Sequence, residues 1–132
     1  MKLNKQQFII ALLLQLTFSM KDNLIQQLSY AFACKTADIY RELKKKNEYT
    51  LADQILRSST SIAANVEEAI AGYSKADFLN KLTIALKEAR ETRFWLRFLL
   101  EKNFIDTKFT NYLNDIESII KVLSKISKTL RK

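Results

Sequence analysis

The sequence contains no histidine and no proline, and it has only one glycine and one cysteine. Without histidine, Ser-His-Asp and Cys-His catalysis, His-ligated zinc and haem held by histidine are all excluded. The Glu-x-x-His pairs that di-iron bundles require are excluded too. The chain therefore reads as a non-enzyme, with no catalytic residues, no metal and no cofactor expected. The scarcity of proline and glycine leaves little to interrupt a helix and little to build hairpin turns, so an all-β or α/β fold over 132 residues is disfavoured. The lone Cys34 cannot form an internal disulfide and fits a reducing, cytoplasmic compartment, where it is expected to be a small buried apolar residue.

What is plentiful is positive charge. Lysine and arginine total 22 against 14 aspartate and glutamate, a formal net charge of +8, and the sequence pI is about 9.6. Such a balance favours polyanionic partners, nucleic acid or an anionic membrane surface, against the plainer reading of a solvated basic exterior.

The first nineteen residues admit three readings. Lys2 and Lys5 precede the apolar run Phe8 to Leu14, as in a weak signal peptide, but no small-residue cleavage pattern follows. The run is too short to span a bilayer, which takes about 20 apolar residues. A helical extension is the second reading. The third is a start at Met20, where Met20-Lys21-Asp22-Asn23 makes a natural beginning for an amphipathic helix. Without residues 1–19 the chain keeps 20 basic against 14 acidic side chains, +6. Residues 20–132 are taken as one domain.

That domain reads as all-α, an up-down antiparallel four-helix bundle with helices at about 23–46, 50–71, 74–102 and 106–131. In the first, Leu24, Leu28, Phe32, Ile39 and Leu43 recur at mostly three- or four-residue steps, with Ala31 and Tyr40 filling in. Lys44, Lys45 and Lys46 offset the helix dipole at its end. Thr50 is the expected cap of the second, with Asp53 in the capping-box place and Leu51, Ile55, Ile62, Val66 and Ile70 facing inward. The small residues Ser58 to Ser61, with Ala63 and Ala64, point to a close helix crossing rather than a ligand site. Gly72 is expected to close this helix in a left-handed conformation. Ser74 caps the third, with Asp77 as its box partner, and Phe78, Leu82, Ala85, Ala89, Leu96 and Leu99 form its stripe. Asp106 or Thr107 opens the fourth, whose inward residues are Phe109, Leu113, Ile116, Ile120, Leu123, Ile126 and Leu130. Connections this short need antiparallel neighbours.

Three strings then carry a resemblance. They are Leu56-Arg57-Ser58-Ser59-Thr60-Ser61-Ile62-Ala63-Ala64-Asn65-Val66-Glu67-Glu68-Ala69, Ser74 through Leu82, and Lys87 through Leu96. Over roughly residues 23–120 the chain resembles the four-helix-bundle proteins encoded by intervening sequences in bacterial 23S ribosomal RNA genes. It is similar also to the accessory protein of diversity-generating retroelements. The resemblance implies a bundle without known catalytic activity. By similarity to the retroelement protein it further implies a homo-oligomer, a ring of five, that associates with RNA or DNA and with a reverse transcriptase.

Two basic rows are the candidate nucleic-acid surface. Lys87, Arg90, Arg93 and Arg97 share a stripe on the third helix, and Lys121, Lys125, Lys128 and Lys132 make one on the fourth, with Arg131 nearby. Rows of this kind meet backbone phosphates without reading bases. The alternative is that Glu88 and Glu91 neutralise the arginines and the lysines only solvate a terminal helix. Glu67, Glu68, Glu88 and Glu91 are expected in ion pairs with Arg57, Arg90 or Arg93 rather than around a metal. Phe94, Trp95 and Phe98 cannot all face the core that Leu96 and Leu99 face, so at least one is expected in a subunit interface. A base-stacking platform is the alternative role for them. Nucleic-acid binding by an oligomeric bundle, or service to a nucleic-acid enzyme, is the leading reading. A protein–protein adaptor is the runner-up, and a peripheral membrane protein comes third.

Overall fold

The computed structural model describes residues 4–131, with the backbone alone at 11 and 13–23. Met1 to Leu3 and Lys132, the last of the candidate phosphate-binding lysines, lie outside the described residues. Four α-helices follow one another: α1 Lys5–Lys45, α2 Tyr49–Ala71, α3 Lys75–Glu101 and α4 Tyr112–Arg131, with a 3-10 turn Thr107–Phe109 before the last. Each packs on its neighbour in sequence and α4 closes against α1. The result is an antiparallel four-helix bundle.

The buried positions alternate by three and four with little interruption. They are Ile25, Ser29, Phe32, Thr36, Ile39 and Leu43 on α1, and Ala52, Ile55, Ser59, Ile62, Val66 and Ala69 on α2. On α3 they are Phe78, Leu82, Ala85, Ala89, Thr92, Leu96 and Leu99. On the last segment they are Phe109, Tyr112, Ile116, Ile119, Leu123 and Ile126. This alternation is the knobs-into-holes pattern of left-handed bundles. It corrects the stripe of α1: Ile25 is fully buried while Leu24 is 46% exposed, because the register runs through the small polar Ser29 and Thr36. Ala31 is exposed for the same reason, and Ile70 on α2 is exposed because the stripe there runs through Val66 and Ala69. Cys34 is exposed as well, two positions off the buried stripe on each side, and not buried as expected.

The helix ends differ from expectation in four places. α1 begins at Lys5, not near residue 23, because Asn4 and Gln7 form a capping box in which Asn4 Oδ1 accepts from the Gln7 N–H at 2.7 Å. Thr50 does not cap α2. The cap residue is Glu48, and it makes no side-chain cap bond. The chain arrives there through a Schellman turn, with Glu48 N–H donating to the Leu43 carbonyl at 2.9 Å and Asn47 at φ 62°. Gly72 ends α2 in extended conformation, φ −69° and ψ 156°. The left-handed residues are Asn47 and Asn103 instead, the latter at φ 61° in a matching Schellman turn at the end of α3. Asp106 starts the 3-10 turn, accepting from the Lys108 N–H at 2.8 Å, and α4 begins only at Tyr112. Ser74 does cap α3, accepting from the Asp77 N–H at 3.0 Å.

The hydroxyl-rich stretch of α2 lies at close crossings. Thr36 and Ser59 share a hydrogen bond at 2.7 Å between α1 and α2, and Ser58 and Thr92 share one at 2.9 Å between α2 and α3. Together they form a buried polar layer across three helices, in which the small side chains let the backbones approach.

Candidate nucleic-acid interface

Two contacts fix how α3 lies against α4. Arg93 Nη1 donates to Glu117 Oε1 at 3.0 Å, and towards the other end Arg131 Nη2 donates to Thr83 Oγ1 at 3.4 Å. Between these ties, α3 carries Lys87 and Arg90 while α4 carries Lys121, Lys125 and Lys128, all exposed. With 100° between successive helical residues, Arg90, Arg93 and Arg97 fall on the flank of α3 nearest α4, and Lys121 and Lys128 on the flank of α4 nearest α3. Lys87 and Lys125 point more directly outward. The two rows thus lie exposed on adjacent, antiparallel helices.

Among the described residues, Lys87, Arg90, Lys121, Lys125 and Lys128 form no ion pair. Arg93 pairs with Glu117, and Arg97 with Glu101 at 3.6 Å, both in exposed surroundings where such pairs are weak. Glu88 and Glu91 do not neutralise these rows. Both pair with Arg57 of α2, Glu88 at 3.3 Å, on the opposite flank of α3, and Arg57 is held further into its charged form chiefly by the Glu91 hydrogen bond. Glu68 pairs with Lys81 at 2.9 Å, and Glu67 accepts from Gln26 at 2.9 Å. Among the described residues no acidic or cysteine cluster is arranged to hold a metal ion.

An open groove of about 300 Å³ lies on α3, lined by Arg90, Arg93, Phe94, Arg97, Phe98 and Glu101. A larger groove, about 470 Å³, lies between α1 and the start of α4, where Arg41 pairs with Asp38 and Lys108 with Glu42, leaving Lys45 as the one excess cation of its lining. A third, about 530 Å³, is mainly apolar and sits at the bundle end by Tyr73 and Leu130. Of these three grooves the first has the largest excess of basic over acidic lining residues.

The three aromatic residues part company. Trp95 and Phe98 pack partly buried against the core, whereas Phe94 is 56% exposed. Phe94 stacks on Phe98 with centroids 6.2 Å apart and planes 17° from parallel, and Phe98 stacks on Phe104 at 5.8 Å and 22°. The role of Phe104 was not legible in sequence, because it lies in a turn, outside any helical period. Among the described residues no helix is long and apolar enough to cross a membrane. Phe8, Ile9, Ile10 and Leu12 on the first turns of α1 are exposed.

A crystal structure at 1.70 Å of a protein of unknown function from the S23 ribosomal protein family of Bacteroides thetaiotaomicron is similar to this chain. The two share 42% identity at a TM-score of 0.77, over 82% of this chain and 98% of the other. No curated protein matches. The family model for the 23S rRNA-intervening sequence protein matches residues 21–125, the span of the bundle, and the chain belongs to that family.

Proposed function

We propose that this protein is a non-enzymatic bundle that binds RNA or DNA through backbone phosphates on the α3–α4 face. The observation that supports this reading best is that, among the described residues, Arg90 on α3 and Lys121, Lys125 and Lys128 on α4 make no ion pair and lie exposed on adjacent helices. Beside them Arg93 and Arg97 are held only by exposed carboxylates, which phosphate can displace. Lys87 and Arg131, both exposed, extend the same surface. Fixed rows of cations recognise charge spacing rather than sequence. The family description, which names an intervening sequence of 23S rRNA, fits a nucleic-acid context.

Homo-oligomerisation belongs to the proposal. A single chain leaves Phe8, Ile9, Ile10 and Leu12 uncovered, and side chains of that kind usually meet a partner. The same exposed residues favour a second reading, an adaptor that binds another protein, such as a polymerase, without touching nucleic acid.

Binding to RNA and DNA titrated with salt separates the two. Six phosphate contacts would lower affinity roughly a thousand-fold between about 50 and 200 mM salt. Replacing Lys121, Lys125 and Lys128 with glutamine is expected to flatten that dependence. Affinity that does not change with salt, or no binding at low salt, removes the nucleic-acid reading.

A further inference from the structure

We infer that the groove beside Phe94 takes an unpaired base, so that the protein prefers single-stranded nucleic acid to duplex. The inference rests on the phosphate-binding reading above and adds what the strand must look like. Phe104, Phe98 and Phe94 form a column of rings, each nearly parallel to the next, that begins against the core and ends at the surface. The outer ring, Phe94, is more than half exposed. A flat ring laid on its free face continues the column as a fourth member.

The surroundings say what kind of ring. Arg90, Arg93 and Arg97 line the same groove as Phe94 and Phe98. Three arginines against the single acid Glu101 make the lining net positive around the exposed aromatic ring. Aromatic platforms set in basic grooves are how proteins hold single strands: bases stack while cations follow the phosphates. In a duplex the bases are already stacked on one another and cannot reach Phe94. Trp95 touches Phe94 edge-on with centroids 5.0 Å apart, and it is the only tryptophan in the chain. Its fluorescence therefore reports on the platform directly.

The experiment compares three probes with the full chain: single-stranded oligo(dA), an oligo(dA)–oligo(dT) duplex of equal length, and inorganic polyphosphate. Oligo(dA) is expected to bind more tightly than the duplex and to change Trp95 fluorescence, while polyphosphate binds without that change. Phe94→Leu is expected to weaken oligo(dA) about ten-fold and to leave polyphosphate binding and the salt dependence as they were, and Phe94→Tyr to restore the loss. Equal binding of single strand and duplex, unaffected by Phe94→Leu, overturns the platform and leaves the phosphate reading standing. Failure of all three probes to bind overturns both. A fall in oligomer mass of Phe94→Leu, with polyphosphate and oligo(dA) weakened alike, assigns Phe94 to a subunit contact and also overturns the platform.

Discussion

Thr92 and Ser58 join α3 to α2 through one hydrogen bond between buried hydroxyls, 2.9 Å apart and fully shielded from water. Thr92 Oγ1 also lies 2.8 Å from the Glu88 carbonyl oxygen, so the two groups satisfy each other within one small network. Removing one partner leaves the other with only a carbonyl of its own helix, Glu88 for Thr92 at 2.8 Å or Ile55 for Ser58 at 3.4 Å, whereas removing both leaves no buried hydroxyl to satisfy. Ser58→Ala and Thr92→Val are each expected to cost about 1–2 kcal/mol, and the double variant less than their sum, by about 1 kcal/mol. Urea denaturation of the four proteins measures the coupling, and strict additivity would show that the crossing is held by packing alone.

Ser127 behaves oppositely. Its hydroxyl is buried on α4 with no hydrogen-bond partner among the described residues. Alanine removes the orphaned group and is also the better helix former. Ser127→Ala is therefore expected to stabilise the bundle by about 1 kcal/mol, read as a higher denaturation midpoint at unchanged slope.

The contrast between these hydroxyls explains how far sequence could reach. Apolar spacing identified four helices and their antiparallel order, because Phe78 through Leu99 and Ile116 through Ile126 repeat the helical period openly. It misplaced the register of α1, where Ser29 and Thr36 occupy buried positions and look like solvent-facing residues to any apolar count. It also gave Gly72 the left-handed role that Asn47 and Asn103 fill, since asparagine tolerates that conformation and leaves no gap in composition. The basic rows were visible as rows. How they lie to one another was not, because the Arg93–Glu117 and Arg131–Thr83 ties depend on which flank of α3 meets α4.

Stability is expected to fall at alkaline pH through two neighbouring groups. Lys35 donates to Asp115 at 2.6 Å, and that hydrogen bond raises its pKa above the usual lysine value, while burial raises the Tyr112 phenol above its own. In the unfolded chain both revert to ordinary values, so above about pH 10 the unfolded state holds fewer protons than the native one. Their contribution is complete below that pH and declines as pH rises through the folded values. Lys35 is half exposed, so its share is small. Denaturation midpoints at about pH 9 and about pH 11 should differ, and Tyr112→Phe should narrow the difference. An equal fall in that variant would assign the effect elsewhere.

Glu117 on α4 reaches across to α3, where it holds Arg93. Its partner is about a third exposed and Glu117 nearly half, so the pair contributes less than about 1 kcal/mol to folding. Its effect on the face is larger, because it cancels one cation and lies where a phosphate would sit. Glu117→Gln keeps the shape and removes the charge. The variant should fold as stably as the parent and bind RNA or DNA several-fold more tightly at low salt. Its salt dependence should steepen by about one further phosphate contact. Charge reversal of a neighbour away from the face, Glu48→Lys, adds more net charge and should do less, because bound strands lie beyond its reach. Equal gains from both variants would mean that net charge alone attracts nucleic acid and that the α3–α4 seam has no special part in holding it.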